Sequence, residues 1–319
     1  MARVVLHIGP HKTGTTALQN LFWQHSAALA RRGLHYPRLP YAHTGHHGLV
    51  TDWGTHLPQT YRLPAGSRVA LRQIARDFAG RKGTVLLSSE EFSRADPAQQ
   101  VDWRQVFEDL SGFETIEVLC VLRTPWQMLQ SLYAEVSRRK SPPRPPDLVR
   151  MALEHRRFDG VFLDPAALVR WLAQHFSAQH IHLIDYHTAC VGEGGLGAAV
   201  QRVLGVKPLA VGAESSNRSP RPLAHWMANL LSEPATPSPG LVSWVEGQFA
   251  HAPRQCLFTR AELASLRAGF SNCAAELADM IPGFRLSDPD PAPETLFRED
   301  IGVAFWKDVA RNLAAAAKL

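Results

Sequence analysis

The 319 residues are 45% hydrophobic and 20% charged, which is enough chain and enough apolar content to bury one large core, or one core with a helical appendage. No apolar run approaches the ~20 residues needed to cross a bilayer, and the N-terminus opens on the strand-like Val4-Val5-Leu6-His7-Ile8 in place of a charged leader, which gives the expectation of a cytoplasmic protein. The formal charge of +5 is mild and spread along the chain. The densest basic cluster, Arg138-Arg139-Lys140, lacks interleaved aromatics and any recognisable module, so no nucleic-acid partner is expected. The four cysteines, Cys120, Cys190, Cys256 and Cys273, have no metal-ligand spacing and read as buried free thiols.

Strand-like apolar runs recur at 3–8, 83–88, 116–122 and 180–184, separated by segments of helical periodicity. Such alternation predicts an α/β fold: a three-layer α/β/α arrangement with a central, mainly parallel sheet, whose ligands bind beyond the carboxyl ends of the strands. Residues 1–190 form the α/β part of this expectation. Residues 191–319 form a mostly helical C-terminal part of the same single domain, because strand signals fade after about residue 186.

After the first strand comes Gly9-Pro10-His11-Lys12-Thr13-Gly14-Thr15-Thr16, followed by an amphipathic pattern through Leu18, Leu21, Phe22 and Leu29. Glycines let the backbone turn tightly and aim N–H groups at one anion, and the dipole of the following helix adds to that attraction. The loop fits the phosphate-binding pattern G-x-x-x-x-G-K-[ST] at every fixed position but one, since Thr15 stands where the lysine belongs and the lysine sits inside the loop as Lys12.

Two irregular stretches follow the pattern of binding loops: 35–66, rich in His, Pro, Gly and Tyr, and 141–147, Ser-Pro-Pro-Arg-Pro-Pro-Asp. Within the first lie His43, His46, His47 and His56, without the spacing or acidic partners of a metal site. His7, inside the first strand, reads as a satisfied core or sheet-face residue. The strand at 83–88 runs into Ser89-Glu90-Glu91-Phe92, which brings two carboxylates to the sheet edge that carries Lys12. The strand at 116–122 runs into Arg123-Thr124-Pro125 and a helix bearing Ser131 and Tyr133. A guanidinium binds phosphate through paired hydrogen bonds, and a serine hydroxyl adds another. Farther on, Asp164-Pro165 and Thr259 with Glu262 read as helix starts, and Ser215-Ser216-Asn217-Arg218-Ser219 precedes a helix through Leu223, Trp226 and Leu230.

Taken together, the loop from Lys12 to Thr16 resembles the 5'-phosphosulfate loop of sulfotransferases that use 3'-phosphoadenosine 5'-phosphosulfate (PAPS). His11, between Pro10 and Lys12, departs from the many members that place proline directly before the lysine, and becomes an extra candidate ligand contact. Arg123, Pro125, Ser131 and Tyr133 resemble the family's 3'-phosphate motif residue for residue, while Met128 stands where some relatives carry a further arginine. Glu90 and Glu91 are similar in placement to the catalytic glutamate of carbohydrate sulfotransferases, though without the lysine that often follows it. Asn217 and Ser219 resemble a short bacterial N-x-S segment beside Arg218, and Arg138, Arg139 and Arg221 are further candidates for a phosphate contact.

The resemblance implies the phosphate-loop sulfotransferase fold, PAPS as co-substrate, adenosine 3',5'-bisphosphate as product and no metal. It implies Lys12 as stabiliser of the leaving phosphate, and Glu90, ahead of Glu91, as the base; a histidine of the 35–66 region is the other candidate. His11, Lys12, Thr13, Gly14, Thr15, Thr16, Arg123, Ser131 and Arg218 are the expected donor-binding residues. The acceptor is a hydroxyl or amine on a small molecule or glycan. An ATP-dependent small-molecule kinase and a nonenzymatic nucleotide-binding module stay open as alternatives. The first is opposed by Thr15 and by the lack of a clear apolar strand ending in a magnesium-binding aspartate, the second by Lys12 and the nearby acids.

Overall fold

The computed structural model describes residues 2–40, 43–54, 56–209 and 221–316. The chain forms two compact units interleaved along the sequence. The first comprises Met1–Thr124, Gly160–Asn217 and Asn272–Ser287, and the second Pro125–Asp159, Arg218–Ser271 and Asp288–Leu319.

The first unit opens with β1 (Ala2–Gly9), α1 (Thr15–Gln24), α2 (Ser26–Ala30) and β2 (Leu34–His35). It continues with α3 (Ser67–Phe78), β3 (Gly83–Ser88), α4 (Trp103–Asp109) and β4 (Ile116–Leu122). The second unit then takes α5 (Pro125–Val136), α6 (Pro145–His155) and the two-residue β5 (Arg157–Phe158). The chain returns to the first unit for β6 (Val161–Phe162), α7 (Pro165–Leu172), β7 (Ile181–Asp185), α8 (Tyr186–Val191) and α9 (Gly195–Val203). The second unit gains α10 (Pro222–Ser232), α11 (Pro239–Gln248), β8 (Gln255–Cys256) and α12 (Arg260–Gly269). Finally α13 (Cys273–Met280) belongs to the first, and β9 (Leu296–Phe297) and α14 (Val303–Ala316) to the second.

The fold class is α/β, as the alternation of apolar runs predicts. Five strands form one parallel sheet in the order β2-β3-β1-β4-β7. Its middle strands are apolar on both faces because both faces are covered: Val4, Val5, Leu6 and Ile8 of β1 and Val118 to Leu122 of β4 are all buried. On one side Leu18 and Phe22 of α1, Leu29 of α2 and Val200 of α9 pack with Val5, Leu86, Leu119 and Val121. The register aligns His7 with Ser88, Leu6 with Val118, and Leu122 with Asp185, so the carboxyl ends of β3, β1, β4 and β7 lie along one edge. The β1–β4 register slips between His7 and Gly9, where β1 gives way to the loop.

Local signals hold where the sequence supplies them. Asp164 accepts from Ala167 N at 3.0 Å and Pro165 is the first residue of α7, while Thr259 and Glu262 form the capping box of α12. Pro145 starts α6, so only the first part of the proline-rich stretch at 141–147 is loop. The amphipathic pattern through Leu29 is two helices, broken at His25. Cys120, Cys256 and Cys273 are buried free thiols, whereas Cys190 is exposed, contrary to expectation: α8 is a short helix at the surface that buries only Ala189. In the second unit α5 packs on α10 and α12, and a separate apolar cluster joins Leu223, Met227, Val245, Phe249 and Val309. No helix among the described residues is long and apolar enough to cross a membrane.

Candidate active site

Three loops leave the same sheet edge side by side, because β1 lies between β3 and β4. The middle one is the phosphate-type loop. Gly9 and Gly14 have φ of +87° and +81°, the left-handed region that glycine enters freely. A Cβ at Gly9 would stand 2.9 Å from Glu90 Cβ, so the glycine also lets the segment after β3 close in. Lys12 adopts φ of +63° with a full side chain, a conformation costing ~1–2 kcal/mol that persists only where surroundings enforce it. Two contacts do so: Thr13 Oγ1 donates to the Pro10 carbonyl at 2.6 Å, and Arg123 Nη1 donates to the Lys12 carbonyl at 3.0 Å.

The loop ends on α1, whose first turn has no side-chain cap. Thr15, at the start of that turn, is 4% exposed, and its Oγ1 has no hydrogen-bond partner among the described residues. A buried hydroxyl without a partner is costly. Beside uncapped helix N–H groups it fits an anion that would accept from both. Thr16 is exposed and Thr13 fully buried, so the loop threonines differ in accessibility.

Arg123 leaves β4 on the other side of the loop. Its guanidinium also lies over the Tyr186 ring at 4.9 Å. Burial lowers its pKa from the usual arginine value, against the opposing influence of Tyr186 and Cys190. The positive charge is therefore held in a place that an anion would stabilise.

On the far side, Ser89 caps the turn Glu90–Ser93 by accepting from Glu91 N. The two carboxylates then diverge. Glu91 is buried and meets His56 Nε2 at 3.0 Å, His11 Nε2 at 3.4 Å and Arg94 Nε at 3.6 Å. Burial pushes its pKa up, but the His56 hydrogen bond and the charges of His11, Arg94 and His56 outweigh it and bring the group down to about 2. Arg94 Nη1 also lies 3.3 Å from the same His11 Nε2, which accepts from Arg94 when neutral and donates to Glu91 when protonated, so in either form His11 ties the phosphate-type loop to the turn after β3. Glu90 instead accepts from Gln19 Nε2 at 3.2 Å, with His47 Nδ1 3.9 Å away.

The histidine-rich region divides in the same way. His46 is fully buried and pins the loop to β3: its Nδ1 accepts from Ser88 N at 2.9 Å, which leaves Nε2–H to donate to the Pro37 carbonyl at 2.7 Å. His47 hydrogen-bonds Ser89 Oγ through Nδ1 at 3.0 Å and stacks on Tyr61 with ring centroids 4.6 Å apart, and His43 meets the same tyrosine edge-on. Burial and then the charges of Glu90 and Glu91 raise the Tyr61 pKa, which places that ring beside both carboxylates. His7 is only half satisfied: Nδ1 bonds Ser88 Oγ at 2.8 Å, while Nε2 has no partner among the described residues. No group of three or more His, Cys, Asp or Glu among the described residues is placed to hold a metal ion.

The structure thus gathers His11, Lys12, Thr13, Gly14, Thr15, Thr16, Glu90, Glu91 and Arg123 at one edge of the first unit. Ser131 is buried on α5 in the second unit, and on the same helix the Tyr133 hydroxyl accepts from Asn229 Nδ2 at 3.1 Å. Arg218, with Asn217 and Ser219, lies outside the described residues. Of the other basic candidates in the second unit, Arg139 pairs with Asp159 and Arg221 donates to the Glu246 carbonyl. Sequence reasoning passed over Gln19, Tyr61, Arg94 and Tyr186. Of these, Tyr186 alone carried a positional signal, directly after a strand.

No protein-family model matches the sequence, and no curated protein matches it. Among solved structures the chain is similar to a sulfotransferase from Alicyclobacillus acidocaldarius, with 15% identity, 84% of this chain and 95% of that one covered, and a TM-score of 0.40. It is also similar to the sulfotransferase domain of the Synechococcus PCC 7002 olefin synthase, with 12% identity, 77% and 94% covered, and a TM-score of 0.35. A third is the sulfotransferase domain of the curacin biosynthetic pathway, with 10% identity, 78% and 96% covered, and a TM-score of 0.36. Each of the three is described as a sulfotransferase or a sulfotransferase domain.

Proposed function

We propose that this chain is a sulfotransferase that carries a sulfuryl group from PAPS to a hydroxyl or amine of a small molecule or glycan, with residues 1–319 serving as one catalytic domain. The observation that carries the reading is the strained Lys12 loop, with a buried Thr15 hydroxyl that has no partner among the described residues and with Arg123 donating to the Lys12 carbonyl. Such a loop is an anion cradle, and a further cation at its side, Arg123, suits a ligand with two phosphate groups.

In the reaction the bond between sulfur and the bridging phosphate oxygen breaks as the acceptor's oxygen or nitrogen bonds to sulfur, and adenosine 3',5'-bisphosphate leaves. Lys12, the α1 N–H groups and Thr15 stabilise the charge that gathers on the leaving phosphate. Arg123 serves the 3'-phosphate, and the motif resemblance adds Ser131 and Arg218 to that role. Glu90 takes the acceptor's proton. Glu91, already paired with His11, His56 and Arg94, anchors the loop.

The test is sulfuryl transfer from PAPS to a panel of sugars, amino sugars and phenols, followed by bisphosphate release. Turnover without added metal that falls sharply in Glu90→Gln, and much less in Glu91→Gln, is the expected result. Equal full activity in both variants would refute the carboxylate base, and absence of turnover with tight bisphosphate binding would make the chain a binding module.

A further inference from the structure

Gln19 is a polar side chain in the wrong place for a solvent-facing helix residue: it sits on α1 and is 3% exposed. Its amide nitrogen lies 3.2 Å from Glu90 Oε2 and 3.3 Å from both the carbonyl oxygen and the Oγ of Ser88, the last residue of β3. Ser88 Oγ is in turn fixed by His7 Nδ1 at 2.8 Å. The amide is confined from the other side as well. A Cβ at Gly45 would stand 2.6 Å from Gln19 Cδ and 2.7 Å from its Nε2, so only glycine at 45 leaves the amide where it is.

The chemistry of this contact differs from that at the neighbouring carboxylate. Glu91 meets three groups that carry or can take up positive charge within 3.6 Å, whereas Glu90 accepts at 3.2 Å from an amide N–H, which orients a carboxylate through a charge-assisted hydrogen bond without supplying a cation, and His47 Nδ1 stands farther off at 3.9 Å. A base must be held in the geometry of proton transfer and still be free to accept the proton.

We propose that Gln19 is a positioning residue that fixes the Glu90 carboxylate for proton abstraction, and that Gly45 is the residue that makes room for it. The inference rests on the reading of Glu90 as the base.

The experiment compares bisphosphate release from PAPS, with water and with an amino sugar as acceptors, in the wild type, Gln19→Met, Gly45→Ala, Glu90→Gln and the double variants. Gln19→Met keeps the length and removes the donor; Gly45→Ala keeps the donor and displaces it, so it also carries the test should the methionine variant not fold. Each single change is expected to lower kcat about tenfold with the KM for PAPS within about twofold. Gln19→Met is expected to cost nothing further in the Glu90→Gln background, and Gly45→Ala nothing further in the Gln19→Met background. Wild-type rates in both Gln19→Met and Gly45→Ala, or losses that persist in full when Glu90 is already changed, would overturn the positioning role while leaving the base assignment intact. Full activity of Glu90→Gln would remove the base assignment itself, and the positioning role with it.

Discussion

Arg123 donates a hydrogen bond of 3.0 Å to the main-chain carbonyl of Lys12, across 111 residues of sequence. The arginine of one motif thus helps to hold the lysine of the other in its left-handed backbone conformation. Arg123→Ala should therefore do two things at once. Losing hydrogen bonds between a charged group and phosphate is worth about 1.5–3 kcal/mol, a fall of roughly 10- to 100-fold in bisphosphate affinity by calorimetry. Thermal stability should drop as well, because the Lys12 carbonyl loses a partner. Unchanged affinity in a folded variant would contradict the role.

Lys12 separates stability from activity. Replacing it with glycine relieves the positive-φ cost of about 1 kcal/mol, so Lys12→Gly should fold with unchanged or slightly raised stability. Its turnover should fall by a factor on the order of 10²–10³, the usual scale for one electrostatic donor at a leaving group. Parallel melting and rate measurements check this, and a variant that keeps its rate would displace Lys12 from the chemistry.

Glu91 couples the loop to pH. Its folded-state pKa of about 2 lies below the 4.5 of an ordinary glutamate. A depressed acid contributes stability that is present above pH 4.5 and is lost as the pH falls through 4.5 toward 2. That contribution is on the order of 3 kcal/mol at neutral pH. Glu91→Gln should be less stable than the wild type in denaturant titrations at pH 7, and the gap should narrow steadily below pH 4.5. A constant gap from pH 7 to pH 3 would mean that the ion cluster does not hold the loop.

His7 and His46 act in a higher window. Burial lowers both from 6.5 to about 4, opposed at His7 by Glu90 and at His46 by the hydrogen bond to the Pro37 carbonyl. The unfolded chain takes up these protons near pH 6.5 while the folded one refuses them until about pH 4. Stability from this source is therefore full above pH 6.5 and falls as the pH drops from 6.5 to 4. His46→Gln should flatten that slope between pH 7 and pH 5 in urea midpoints, whatever it costs at pH 7. A slope parallel to the wild type's would show that His46 is not held neutral.

Much of this site could be read from the chain because its parts are local. A strand, a glycine-bounded loop and a helix start are neighbours in sequence, and so are β3 with Glu90 and β4 with Arg123. What resisted reading depends on distant partners. Glu90 and Glu91 differ in sequence only in that Glu90 comes first after the strand, and the structure gives them different partners: His11, His56 and Arg94 for Glu91, Gln19 for Glu90. His46 and His47 are adjacent, yet one is pinned between Pro37 and Ser88 while the other reaches Ser89 and Tyr61. Gln19 gave no signal, since a polar residue on a helix usually faces solvent. The break at His25 was hidden because apolar positions recur on both sides of it. The grouping of 125–159 with the C-terminal segments follows from long-range packing that leaves no local mark.

The central claim is that the cradle around Lys12 and Arg123 is built for a nucleotide phosphorylated at both the 3' and 5' positions. The most direct measurement is the thermal shift produced by adenosine 3',5'-bisphosphate, ADP and ATP, each with and without magnesium, since a ligand of the folded state raises apparent stability by mass action. Strong stabilisation by the bisphosphate, independent of magnesium and reduced in Arg123→Ala, is the predicted result. Stabilisation by ATP with magnesium and little from the bisphosphate would contradict the account and point to phosphoryl transfer.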